Sequence, residues 1–322
     1  MGIMVNGVWQ QEDFGKRNRD GRYVRADTVF HDWISADGSS GFPAAAGRYR
    51  LYVAHACPWA YRTMVFRALK GLEDVISVGY VEPLMLKKGW EFAAGGDPLT
   101  GAQAVPDLYA MARADYSGRC SVPVLWDTER RTIVNNESSQ IIRMLNSAFD
   151  DFATRDLPDM YPADLRDEID AVNELVYENI NNGVYRTGFA TSQAAYEEAF
   201  DALFDALDQV EARLSVQRYL CGERITEADW RLFATLIRFD AVYVGHFKCN
   251  LRRIVDYPNL SNYTRELYQW PGIAEITDFQ RIKAHYYGSH ESINPFRIVP
   301  KGPALDLDAP HDRGRLPSAW TP

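Results

Sequence analysis

Cysteine is scarce in this chain: Cys57, Cys120, Cys221 and Cys249 are spread over 322 residues. So sparse a set excludes a disulfide-stapled fold and points to reduced thiols in a cytoplasm. Basic charge is also short, with 35 Lys and Arg against 44 Asp and Glu and a net charge of −9. Non-specific nucleic-acid binding needs a basic face, so no nucleic-acid partner is expected. No apolar run reaches the ~20 residues of a membrane span, so no membrane partner is expected either. The start, Met1 to Glu12, lacks both a basic beginning and an apolar core, and no secretory leader is read there. The pair His246-x-x-Cys249 has no companions at metal-ligand spacing, reads as structural, and leaves no metal expected. Gly95-Gly96 lacks the Gly-Lys-Ser/Thr ending of a phosphate loop. No Ser-His-Asp order and no internal repeat can be picked out.

What is present is a large apolar fraction, 46%, enough for a sizeable core in one or two domains. The most informative stretch is Tyr49-Arg50-Leu51-Tyr52-Val53-Ala54-His55-Ala56-Cys57-Pro58-Trp59-Ala60. An apolar strand runs into a cysteine, and proline follows where a helix begins. Proline is favoured at the first helical position, where its missing N–H has no partner anyway. Cys57 therefore falls at or next to the N-cap, facing free N–H groups and the positive end of the helix dipole. Such surroundings bring a thiol pKa from ~8.5 down to roughly 3.5–7.5. The partner position of a Cys-x-x-Cys motif is Ala60, so another thiol must regenerate the nucleophile.

Residues 1–48 show no sustained periodicity and read as an irregular N-terminal extension. From Tyr49 the pattern is strand (Leu51–Ala54), helix (Pro58–Gly71), strand (Val75–Val81), with Gly71 as a helix stop. Glu82–Gly118 is rich in Gly and Pro and reads as a long insertion. Val122–Asp127 and Thr132–Val134 form a hairpin turning at Asp127–Arg131, and Asn135–Ser138 caps a helix at Ser139–Asn146. This order is that of a thioredoxin-like fold over 49–150. Pro123 at the head of a strand agrees with the cis proline of that fold, a trans proline on an edge strand being the other reading. After a linker at Asp156–Pro162 the spacing turns helical over 160–290. Leu165, Ile169, Val172, Leu175, Val176 and Ile180 make one face, and Phe200, Leu203, Phe204, Leu207, Val210 and Leu214 another. A third helix starts at Thr226, with Asp229 reaching back to the Thr226 N–H and Ile225 as a staple. Residues 291–322 read as a tail.

A thioredoxin-like half followed by an all-helical half with Ile225-Thr226-x-Ala228-Asp229 resembles a glutathione transferase, an α/β plus all-α architecture. The likeness narrows through several motifs. Cys57-Pro58-Trp59-Ala60, Val122-Pro123-Val124-Leu125-Trp126-Asp127, Asn136-Glu137-Ser138 and Asn181-Asn182-Gly183-Val184-Tyr185 are four of them. The run from Arg238 to Cys249, and His285-Tyr286-Tyr287 before Ile293-Asn294-Pro295, are two more. Together they resemble the glutathionyl-hydroquinone reductases, the Xi class. One departure is Tyr61, where that family commonly has His or Asn. It lies in the helix beyond the nucleophile, so a packing change is expected there.

The resemblance implies glutathione as co-substrate, a glutathionyl-hydroquinone as substrate and a homodimer. It makes Cys57 the nucleophile and Tyr185 the proton donor, and Tyr243 and Tyr286 the tyrosines that lower the thiol pKa. For glutathione it implies Glu137 and Ser138 at the γ-glutamyl end, the backbone of Val122 at the cysteinyl peptide, and Trp90, Arg119, Cys120 and Ser121 for the rest. Each assignment has a plainer competitor. Buried cysteines are usually inert packing residues, which is the better reading for Cys120, Cys221 and Cys249 as thiols. Tyrosines of a helical domain mostly pack, Tyr287 competes with Tyr286, Trp90 suits a core or lid, and Arg119 suits a surface ion pair. Reduction of glutathionyl-hydroquinones is favoured over an Omega-like thiol transferase or dehydroascorbate reductase, and over a non-catalytic interaction module.

Overall fold

The computed structural model describes residues 2–11 and 20–320. Met1 and residues 12–19 lie outside the described residues, as do 321 and 322; the two ends of the Met1–Glu12 leader reading and part of the 1–48 extension fall there. The chain forms two compact units that are not contiguous in sequence. The first takes 2–11, 26–157 and 280–297, and the second 20–25, 158–279 and 298–320.

The first unit begins with an antiparallel hairpin, β1 (Gly2–Val5) and β2 (Val8–Gln11). Its two-residue turn, Asn6-Gly7, has both φ values positive, 49° and 76°, as a tight hairpin turn requires. The stretch read as irregular thus opens on regular structure, and Asn-Gly was its signal. β3 (Ile34–Ser35) and β4 (Phe42–Pro43) form a second small pair. The main sheet then follows the expected order. β5 (Tyr49–Val53), α1 (Pro58–Leu69) and β6 (Ser77–Tyr80) make a β-α-β unit with parallel strands. Gly71, just past α1, has φ 62°, the left-handed conformation that stops a helix.

The 82–118 segment is not a bare insertion. It holds a short hairpin, β7 (Met85–Leu86) and β8 (Gly89–Trp90), and a helix, α2 (Val105–Ala112). Asp107 fixes the start of α2 by accepting the N–H groups of Gln103 at 2.8 Å and Ala104 at 3.0 Å, the job of an acidic residue in a first turn. Then come β9 (Val124–Asp127), β10 (Thr132–Asn135) and α3 (Ser138–Ser147). The sheet order is β10-β9-β5-β6, with β9 antiparallel to both its neighbours. This is the thioredoxin-like arrangement.

The second unit is helical: α4 (Arg166–Val176), α5 (Gly183–Gly188), α6 (Gln193–Val216), α7 (Glu227–Arg238) and α8 (Pro258–Tyr268). Of the faces that the spacing indicated, Ile169, Val172, Val176 and Ile180 are buried, as are Leu203, Phe204, Leu207, Val210 and Leu214, while Leu165, Leu175 and Phe200 are half-buried at their edges. Asp229 takes the Thr226 N–H at 2.8 Å, so the reach-back at the start of α7 is present. The Thr226 hydroxyl also donates to Asp229, at 3.2 Å.

The sequence spacing put 160–290 in one helical domain, but the last helix, α9 (Phe279–Ser289), joins the first unit from Gln280 onward. Ser289 accepts the Met85 N–H at 3.0 Å, and the His285 ring stacks on Trp90 at 4.6 Å. Residues four apart share a helix face, so His285 and Ser289 together seat α9 on the β7–β8 hairpin. The tail, 298–320, lacks periodicity but is anchored in the second unit. Buried Arg313 donates to the carbonyls of Leu214, Gln217 and Arg218, each at 2.7 Å, and so closes the C-terminal end of α6.

Candidate active site

Cys57 is the N-cap of α1, with extended backbone angles (φ −74°, ψ 114°), and its carbonyl accepts the Tyr61 N–H at 2.9 Å. Pro58 occupies the first turn. The thiol is half-buried, and its Sγ–H donates to the Val122 carbonyl at 3.3 Å. The Val122–Pro123 bond is cis, the first of the two readings of Pro123. Strand end, proline-led helix and the 119–123 loop therefore meet at one sulfur. Tyr61 is buried within α1.

The loop beside the sulfur is held from α2. The Tyr109 hydroxyl donates to the Ser121 carbonyl at 2.9 Å and accepts the Ser121 N–H at 3.2 Å and the Asn136 Nδ2–H at 2.9 Å. Tyr116 donates to the Arg119 carbonyl at 2.8 Å. Gly118 exchanges both backbone bonds with Met4, each at 2.9 Å, so β1 extends the support. Sequence reasoning misses this scaffold because α2 reads as insertion. The apolar positions Val105, Leu108 and Tyr109 around Pro106-Asp107 are the available signal.

Glu137 is the N-cap of α3. One oxygen accepts the Ser139 N–H at 3.0 Å and hydroxyl at 2.9 Å, and the other the Thr28 hydroxyl at 3.2 Å. Ser138, buried, begins α3, whose first N–H groups make a site that favours an anion. A carboxylate and a helix start are thus adjacent, the pair of charges an amino acid end requires. Trp90 is buried, and its stacking partner His285 contacts Tyr286 edge-on at 5.2 Å and donates its Nδ1–H to the Pro83 carbonyl at 3.0 Å. Tyr286 is buried and Tyr287 half-buried. Cys57, Trp90, Arg119, Cys120, Ser121, Val122, Glu137, Ser138 and Tyr286 all belong to the first unit.

Tyr185 and Tyr243 belong to the second unit. Their rings lie 6.2 Å apart, and Phe247 sits against both, 5.5 Å from Tyr185 and stacked on Tyr243 at 5.6 Å. Each tyrosine is set by a π-helical turn: Tyr177–Asn181 leads into α5, and Phe239–Tyr243 continues α7. A π turn adds one residue and so rotates the downstream helix by about 100°. Asn181 ties the first turn to α7, donating to the Arg231 carbonyl at 3.2 Å and the Thr235 hydroxyl at 2.7 Å.

Burial pushes Cys221 up to about 12 and raises Cys120 and Cys249 as well. Burial, with a smaller push from Lys248, brings His246 down to about 4, so it is neutral at pH 7. Among the described residues no three His, Cys, Asp or Glu side chains gather as metal ligands, and no helix is long and apolar enough to cross a membrane.

Residues 56–148 match the family described as the glutathione S-transferase N-terminal domain, and 193–266 the glutathione S-transferase C-terminal domain. The chain is 48% identical over 324 residues to glutathionyl-hydroquinone reductase YqjG of Escherichia coli K12, covering 97% of this chain and 98% of that protein. It is 51% identical over 312 residues to glutathionyl-hydroquinone reductase PcpF of Sphingobium chlorophenolicum, covering 95% and 98%. A Xi-class transferase from Natrialba magadii superposes with a TM-score of 0.91 at 46% identity, over 99% of this chain and 98% of that one. The glutathione-bound structure of YqjG superposes with a TM-score of 0.87 at 46% identity, over 97% and 99%.

Proposed function

The chain belongs to the glutathionyl-hydroquinone reductases, the Xi class of glutathione transferases, and from that premise we propose that it reduces S-glutathionyl-hydroquinones with glutathione as reductant. The observation that carries the reading is Cys57: a half-buried thiol at a helix N-cap, beside a cis proline, in a chain whose other thiols are disfavoured as thiolates by burial.

The Cys57 thiolate attacks the glutathione sulfur of the thioether. A sulfur–sulfur bond forms as the carbon–sulfur bond breaks, and its electron pair stays on the ring carbon. That carbon takes a proton, which the family resemblance assigns to the Tyr185 hydroxyl, and the hydroquinone leaves. Cys57 is left as a mixed disulfide. A second glutathione, whose thiol proton restores the Tyr185 hydroxyl, attacks it as the thiolate, giving oxidised glutathione and the free Cys57 thiolate. Ala60 suffices because the resolving thiol comes from solution.

For glutathione, the backbone of Val122 takes the cysteinyl peptide in the manner of an added strand. Glu137 and Ser138 take the γ-glutamyl end, with Trp90, Arg119, Cys120 and Ser121 around the remainder. Tyr243 and Tyr286 favour the thiolate by O–H donation. A homodimer in the cytoplasm, needing no metal and neither nucleic acid nor membrane as partner, completes the reading. The family resemblance implies the homodimer; the sparse cysteines support the cytoplasm, and the acidic composition argues against a nucleic-acid partner.

Intact-protein mass spectrometry tests this directly. Mixed with a glutathionyl-hydroquinone and no free glutathione, the protein should gain one glutathionyl group on Cys57 and release one equivalent of hydroquinone. No adduct and no hydroquinone, with Cys57 confirmed reduced, would move the assignment to an Omega-like thiol transferase or dehydroascorbate reductase.

A further inference from the structure

We propose that the Tyr109 hydroxyl is the positioning group that locks the two glutathione-holding segments, 119–123 and 136–138, into one rigid site. The inference rests on the reading that those segments hold glutathione. Tyr109 itself is wholly buried on α2. Its oxygen has one proton to give and two lone pairs, and all are used: it donates to the Ser121 carbonyl at 2.9 Å and accepts the Ser121 N–H at 3.2 Å and the Asn136 Nδ2–H at 2.9 Å. Burial raises its pKa to about 12, so the proton remains in place at neutral pH.

Both ends of this bridge continue directly into the site. Ser121 precedes Val122, whose carbonyl accepts the hydrogen bond from the Cys57 Sγ–H at 3.3 Å. Asn136 precedes Glu137, and the Asn136 side-chain oxygen also accepts the Phe30 N–H at 3.1 Å. The Phe30 ring packs edge-on against Tyr109 at 5.7 Å. One oxygen atom thus fixes the spacing between the strand edge that would meet the cysteinyl peptide and the helix start that would meet the γ-glutamyl end. A ligand touching both ends is sensitive to that spacing, because preorganisation sets how much freedom is lost on binding.

The test uses the full chain and S-methylglutathione, a probe that cannot form a disulfide. Tyr109→Phe removes one atom and should weaken its dissociation constant by about 10-fold or more, while the saturated rate of Cys57 glutathionylation falls by a smaller factor. Asn136→Ala should weaken binding in the same direction. Combined with Tyr109→Phe it should add less than its own factor, since the two act through one bridge. Should Tyr109→Phe fail to fold, Asn136→Ala carries the same affinity readout. A loss of melting temperature with affinity within twofold of the parent, or strictly multiplicative effects, would overturn the role. If the parent protein itself fails to bind S-methylglutathione, the glutathione reading falls and this inference with it; binding by the parent with an unaltered variant removes Tyr109 alone.

Discussion

Burial raises the pKa of three of the four thiols. A thiol raised to about 12, as Cys221 is, is ionised only about one part in 10⁵ at pH 7, and Cys120 and Cys249 are shifted the same way. Iodoacetamide at pH 7 should therefore label one equivalent rapidly, at Cys57, as read by time-resolved intact mass. Cys57→Ala should abolish the fast phase and lower reductase turnover by about 10³-fold or more; turnover that survives would end the mixed-disulfide mechanism. A second single-residue effect lies at Gly188, where an added Cβ would overlap the Phe247 ring. Phe247 supports both Tyr185 and Tyr243, so Gly188→Ala must shift it. Turnover should fall about 10-fold with affinity for S-methylglutathione preserved, and a matched loss of both would contradict this.

Local chemistry made some elements readable and others not. The start of α1 was legible because Cys57-Pro58 after an apolar strand has one common meaning. The start of α7 was legible because Thr226 and Asp229 stand at capping distance. α2 was hidden among glycines and prolines, although Asp107 marks its first turn. The placing of Tyr185 and Tyr243 could not be read from 3.6-residue periodicity, because two π turns change the helical phase just before or at each residue. The candidate thiol was thus visible from residue type, while its supports required the fold. The N-terminal hairpin is the clearest case. Met4 pairs with Gly118, and the Gly7 N–H bonds the Tyr116 carbonyl at 2.9 Å, which places β1 behind the loop that carries Val122. Deleting residues 1–11 should weaken S-methylglutathione binding about 3- to 10-fold by titration calorimetry. Unchanged affinity would mean that the hairpin only covers the loop.

For the molecule as a whole, two buried groups of the second unit respond to pH in opposite senses. His246 is lowered to about 4 by burial, so the folded state binds its proton more weakly than the unfolded chain, and stability rises between pH 4 and 6.5. Asp229 is raised to about 6, first by burial, so the folded state holds its proton more tightly, and stability falls from pH 4 to 6. Asp240, also raised by burial, adds to that fall. Each main shift corresponds to about 3 kcal/mol, so the two offset one another across this window. His246→Gln should uncover the carboxylate slope: denaturant midpoints of the variant should decline from pH 4 to 6, where the parent's change little. A larger consequence comes from the return of α9 to the first unit. The residues that stack on Trp90 and anchor its hairpin, His285 and Ser289, are made some 200 positions after it. On the ribosome, the whole stretch 158–279 is therefore synthesised before the thiol's own unit has all its parts. A chain halted at residue 157 would contain the sheet, α1 and the Val122 carbonyl beside that sulfur, but not the α9 residues that hold the Trp90 hairpin. The order of synthesis thus supplies the last support of the Trp90 hairpin only after nearly the entire protein exists.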